Sequence, residues 1–375
     1  MKQPANLAWN AGGRFGADYG CLYFAAKNYL AHSVMYDINA DPFGRPAVTF
    51  SPNLIFLEAY TLAQLDFPAS VLVSNFLQIL IFLWAAIYFL KGGYASPASV
   101  AGGAVAAGFF LFCTPVGAAW FERSQTDLYM ASAFLIFLKA IRDGRSFDFF
   151  IAGLLASLKW TSLPFFAMVG LAYFFTSDRP PLTKIASLAL AGLMPFVLIL
   201  PFGTKAWEYL KLVSEWERTS EGTALSLRRY SPRMLSKLLP FVIPLLFVAR
   251  MKAIRKMGSR LLGWTELLFL ASAGFVSACF GAVSFEYKLV CMLFLIPVLI
   301  DGRGILFSNR REGFPWETRV LSVVVFLYSF RVGLGSQIYA DAIDFNRGLV
   351  AFVVSIMALL LVTTIPSIKN LHKRV

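Results

Sequence analysis

Charge is scarce in this chain. Asp, Glu, Lys and Arg make up 15% of 375 residues, against roughly 25% in soluble domains. Histidine is nearly absent, with only His32 and His372, which argues against a histidine-bound metal. The four cysteines, Cys21, Cys113, Cys279 and Cys291, form no CxxC pair, so neither a disulfide framework nor a zinc site is expected. No P-loop, GxGxxG or Ser–His–Asp arrangement is present, and no internal repeat or low-complexity tract. What fills the chain instead is apolar: 58% of residues are Ala, Val, Ile, Leu, Met, Phe, Trp, Tyr or Cys. Mean hydropathy is +0.65. An ordinary soluble domain, a disordered chain and a coiled coil are excluded, and an all-α polytopic membrane protein is expected.

The apolar runs divide into about eleven expected spans, near 70–90, 97–119, 126–142, 147–160, 164–177, 184–203, 234–252, 262–282, 285–301, 319–338 and 347–366. Two of these, 147–160 and 164–177, are short for a bilayer of about 30 Å and read as a bent or re-entrant pair around Trp160 and Pro164. The net charge of +13 first reports topology rather than nucleic acid, which is not an expected partner. Lys91, Lys139, Arg142, Arg145, Arg179, Lys184 and the basic residues of 250–260, 303–319 and 369–374 fall on alternate loops. The positive-inside bias places those loops in the cytoplasm. The outer face then carries residues 1–69 as one segment and a long loop, 204–233, within the multi-span unit 70–375. An outer tail of that length is expected either to be translocated unaided or to follow an upstream helix.

The outer segment has helical periodicity. Tyr19, Leu22, Tyr23, Ala26 and Leu30 share one stripe, with Lys27 and Asn28 off it. This predicts a helix lying in the membrane interface, and the run SPNLIFLEAYTLAQL after residue 50 reads similarly.

Chemistry-bearing residues gather on the same face. Asp18 opens the first interfacial helix and is read as a general base toward a hydroxyl, or as an N-cap. The run FERSQTDLYM sets Glu122, Arg123, Gln125 and Asp127 beside the membrane, where they can hydrogen-bond a sugar's hydroxyls or simply form a polar helix start with a local Glu–Arg pair. Lys159, deep after an apolar run and before Pro164, can hold a phosphate or snorkel to water. Arg228, Arg229 and Arg233 put positive charge on the outer loop, suited to a phosphate or to acidic headgroups. Glu286, Tyr287 and Lys288 form an outer hairpin, and Arg331 lies within a later span.

In this order, the outer-face motifs resemble the polyprenyl-phosphate-mannose-dependent glycosyltransferases of family 87. DYGCLYFAAKNYLAHSVMYD is similar to their acidic start and tyrosine-rich helix, TFSPNLIFL to their Tyr-x-Pro segment, and SQTDLY to their Gly-Gln-x-Asn run. IAGLLASLKWTSLP matches their Ala-Gly…Lys-x-x-P pattern, LSLRRY their outer Ser-Leu element, and SFEYKLV stands where many members carry Ser-Trp-x-His-His. Phe50 replaces a usual tyrosine, Ser124 a glycine, and Tyr287 with Lys288 the histidine pair. The resemblance covers roughly residues 17–300.

It implies a GT-C fold in the plasma membrane, with an active site on the extracytoplasmic face. A hexose, mannose by resemblance, would pass with inversion from a polyprenyl-phosphate donor to a lipid or glycan acceptor among the membrane lipids. By the same resemblance, Asp18 would be the base. Arg123, Gln125, Asp127, Lys159, Arg228, Arg229, Glu286, Tyr287 and Lys288 would bind substrate, with no cofactor and no metal. A transporter or flippase for an amphipathic anion, and a non-catalytic binder of lipid-linked glycans, are the rival expectations.

Overall fold

A computed structural model describes residues 16–37, 50–91, 93, 95–113, 115–219, 233–254, 259–279, 286–301 and 305–306. Among these the chain is α-helix and short 3-10 turns, with no strand. The expected spans 319–338 and 347–366, and with them Arg331, lie outside the described residues.

The helices are α1 (Ala17–His32), α2 (Pro52–Tyr60), α3 (Phe67–Leu90), α4 (Pro97–Cys113), α5 (Pro115–Arg123), α6 (Leu128–Asp143), α7 (Ser146–Leu158), α8 (Leu163–Thr176), α9 (Pro181–Ile199), α10 (Thr204–Thr219), α11 (Arg233–Ile254), α12 (Ser259–Cys279) and α13 (Leu295–Asp301). Two stretches, Phe67–Leu90 and Pro181–Phe202, are long and apolar enough to cross a membrane. A third qualifies if α4 and the stretch Val116–Arg123, bent by 71°, count as one span. The sequence reads 97–119 as one run, but the helix breaks at Pro115. Proline has no amide hydrogen and its ring clashes with the preceding turn, which accounts for the break.

α3 shows why the chain suits a membrane. Asp66 caps it by accepting from the Ala69 amide at 3.0 Å, and Pro68 sits in the first turn, where a missing amide costs nothing. Its buried face carries Ser70, Ser74, Asn75 and Gln78 before turning apolar at Phe82, Ala85 and Phe89. Its outward face carries Leu72, Phe76, Leu80, Trp84 and Ile87. Polar side chains inside and apolar ones outside is the arrangement that a lipid solvent favours. α9 repeats it, with Lys184 and Ser187 buried while Leu182, Ile185, Leu193 and Val197 face out.

α6 is the centre. From Met130 to Ile141 every residue is buried. α3, α7, α8 and the 3-10 segment Glu286–Phe294 pack around it. Phe134 stacks on Phe165 at 3.9 Å and Phe137 on Phe166 at 4.1 Å, locking α6 to α8. α7 meets α9 closely at Gly153: a Cβ there would lie 2.7 Å from Met194 Cβ and 2.9 Å from the Ala191 carbonyl oxygen. The short runs expected at 147–160 and 164–177 are α7 and α8, joined by the 3-10 turn Trp160–Ser162 with Pro164 opening α8.

Polar groups sort to the two ends of α6. At its C-terminal end Arg142 pairs with Asp301 at 2.6 Å and donates to the Phe89 carbonyl at 2.7 Å. Lys139 pairs with Asp143 at 2.9 Å, and Tyr88 donates to Asp148 at 2.7 Å. Lys184 donates to the carbonyls of Phe174 and Ser177 at 2.7 and 3.0 Å, closing the end of α8. These cations, read from sequence as topology signals, also cap helix C-termini, where positive charge is favoured. The candidate site lies at the opposite end.

Candidate functional site

The site is built where α1 starts against the end of α5. Gly16 adopts φ 67°, and a Cβ there would lie 2.7 Å from Val71 Cγ2 and 2.9 Å from Phe67 Cζ. Its amide donates to the Glu122 carbonyl at 2.6 Å. Only glycine meets both demands, the left-handed backbone and the close approach. Two residues on, Asp18 faces Arg123, whose Nη1 donates to Oδ2 at 3.1 Å and to Oδ1 at 3.4 Å. The Asp18 side chain is 18% exposed and that of Arg123 35%. The N-cap reading of Asp18 is corrected: Gly16 occupies the cap position and Asp18 lies in the first turn. The predicted stripe holds at Tyr19, Leu22, Tyr23 and Ala26, all buried, while Leu30 is exposed.

From Arg123 the chain turns through Ser124–Asp127 into α6. Ser124 takes φ 51°, the left-handed region that favours glycine. Its hydroxyl donates to Asn75 Oδ1 at 2.8 Å, and Asn75 Nδ2 donates to the Phe121 carbonyl at 3.0 Å. Trp120 Nε1 donates to the Gln125 carbonyl at 2.7 Å, and the Gln125 side chain is buried. Asp127 then stands at the N-cap position of α6 without capping it.

Asp127 meets Lys159. Nζ lies 3.3 Å from Oδ1, with side-chain exposures of 7% for the lysine and 0% for the aspartate. Lys159 has extended backbone between α7 and the 3-10 turn, φ −146° and ψ 95°, which throws its side chain across the bundle. The snorkelling reading is therefore corrected, because its charged end stays inside. The start of α2 docks on the same point: Ser51 Oγ donates to the Ser157 carbonyl at 3.0 Å and Asn53 Nδ2 does so at 3.3 Å. The Phe50 ring centroid lies 5.8 Å from Lys159 Nζ.

A third cluster went unread in the sequence. Glu58 is buried and accepts from Tyr19 Oη, with Ser70 Oγ at 3.4 Å. Burial pushes its pKa up to about 7, offset in part by the Tyr19 and Ser70 hydroxyls. Burial, and then Glu58, raise the Tyr19 phenol well above its usual range. Glu58 thereby ties α2 to α1 and α3. One signal was available: Glu58 follows Leu54 and Ile55 by four and three residues, so it shares their buried face.

Among the other predicted site residues, Lys288 is buried near the start of the 3-10 segment 286–294, which packs on α5 and α6. The side chains of Glu286, Tyr287 and Arg233, and all of Arg228 and Arg229, lie outside the described residues. Among the described residues, no three His, Cys, Asp or Glu side chains come together as metal ligands do. The structure thus brings Asp18 to Arg123 and Asp127 to Lys159, at the two ends of the turn 123–127.

No protein-family model, no curated protein and no solved structure matches this chain.

Proposed function

We propose that the chain is a membrane-embedded GT-C-type glycosyltransferase, of about eleven spans in the plasma membrane. It moves a hexose from a polyprenyl-phosphate donor to a hydroxyl of a lipid or glycan acceptor at the extracytoplasmic face. Mannose is the sugar that the family 87 resemblance implies. The observation that carries this reading is the Asp18–Arg123 pair: a partly exposed carboxylate held beside a cation at the end of the helices. Asp18 accepts the acceptor's hydroxyl proton as that oxygen bonds to the anomeric carbon, with inversion. The bond from that carbon to the phosphate oxygen breaks, and its electron pair leaves with the phosphate. Cations that meet this growing negative charge stabilise the transition state more than the ground state. Arg123 holds Asp18 and Lys159 faces Asp127; the phosphate is assigned to the outer-face cations Arg228, Arg229 and Lys288.

The test is Asp18→Asn in folded protein, reconstituted in liposomes with a radiolabelled lipid-phosphate hexose. Transfer is expected to fall about 100-fold or more. Undiminished transfer removes Asp18 from the base role. Label that crosses the bilayer without forming a new glycosidic bond replaces this reading with the transporter.

A further inference from the structure

We propose that the buried Asp127–Lys159 pair seats the uncharged sugar ring and not the phosphate; this rests on the transferase reading and assigns ligand chemistry within that site. Asp127 is fully buried, and Lys159 faces it at 3.3 Å. Among the described residues, no group donates a hydrogen bond of good geometry to either carboxylate oxygen. A buried carboxylate left this way is costly unless donors reach it.

The unmet capacity extends around the pair. Thr126 Oγ1, Ser162 Oγ, Trp160 Nε1 and Asn53 Oδ1 are buried atoms without a hydrogen-bond partner among the described residues. Thr126 precedes Asp127, while Trp160 and Ser162 follow Lys159 in one 3-10 turn. That turn lies against the start of α6, because Thr161 Oγ1 is 3.1 Å from Met130 Sδ. Asn53 holds the end of α7 through Ser157. Acceptors, donors and hydroxyls that do both therefore sit on the residues that flank one ion pair of zero net charge in the chain, and on Asn53 at the end of α7.

That inventory fits a polyol. Each sugar hydroxyl both donates and accepts, and a carboxylate takes two such donors. It does not fit a phosphate, whose charge would be repelled by Asp127 and would have to compete for a lysine already paired. Lys159 Nζ lies 5.8 Å from the Phe50 ring centroid, so an aromatic ring borders the pair.

The test compares two lipids on the full chain in nanodiscs by equilibrium binding: a polyprenyl-phosphate hexose and the same polyprenyl phosphate without sugar. Asp127→Asn is expected to weaken the sugar-bearing lipid about tenfold or more and leave the sugar-free lipid unchanged. Thr126→Ala and Ser162→Ala, which spare the ion pair, are expected to weaken only the sugar-bearing lipid, about three- to tenfold. Tighter binding of the sugar-free lipid by Asp127→Asn overturns the proposal, because it means that a freed Lys159 takes the phosphate. Equal affinities for wild type and all three variants also overturn it and leave the cluster to buried water. Because binding is read apart from transfer, sugar binding that depends on Asp127 sustains the subsite even where the liposome assay shows no new glycosidic bond and so removes the transferase. Binding of neither lipid overturns both.

Discussion

Nη1 of Arg123 lies 3.1 Å from Oδ2 of Asp18, joining the last residue of α5 to the first turn of α1. Both side chains keep some exposure, so the pair adds little to stability, about 0–1 kcal/mol. Its role is positional. Arg123→Ala is expected to lower transfer about tenfold or more while shifting the unfolding midpoint only slightly. Added to Asp18→Asn, the same change is expected to cost little further, because the group it positions is gone. Kinetics of the two single variants and the double variant check this; losses that multiply would separate the two residues.

Glu58 makes stability depend on pH. Folding raises its pKa from the ordinary 4.5 to about 7. Between those values the folded protein binds the proton that the unfolded chain has released, so stability falls as pH rises. The fall reaches about 3 kcal/mol and levels off above about pH 7. Denaturant unfolding at pH 5 and pH 8 measures it. Glu58→Gln is expected to reduce the difference while keeping an acceptor for Tyr19; an unchanged difference assigns the titration elsewhere.

Ser124 combines a left-handed backbone with a useful hydroxyl. Ser124→Gly gains about 1 kcal/mol by relieving the backbone and loses about as much with the bond to Asn75, so it is expected to be near neutral. Ser124→Ala keeps the strain and loses the bond, a loss of about 1 kcal/mol. Ser124→Val adds β-branching and is expected to be worst. Thermal midpoints in that order support the account, and a Gly variant as weak as Val would refute it.

The sequence was most legible where one helix face repeats. Tyr19, Leu22, Tyr23, Ala26 and Leu30 form one stripe in the sequence, and all but Leu30 are buried together. Lys159 stood out because a charge at such depth needs a partner. Its partner did not stand out, because Asp127 lies on another helix and nothing local links them. Ser70, Ser74, Asn75 and Gln78 passed as part of an apolar span near 70–90, since the overall apolar character of that run hides a polar face turned inward. Glu58 escaped for the same reason, as one acid in an apolar run. The break at Pro115 was lost because residues on both sides are equally apolar.

The burial of α6 bears on how the chain enters a bilayer. Its 16 residues reach only about 24 Å, short of the hydrocarbon thickness. Asp127 lies just before its start, with Lys139 and Arg142 near its end. Alone in lipid, such a segment would be a poor candidate for insertion. Shielded by α3, α7 and α8, it meets side chains instead of acyl tails. Its membrane integration is therefore expected to wait for those neighbours, which makes the core of this protein a product of assembly among helices rather than of each helix's own affinity for the bilayer.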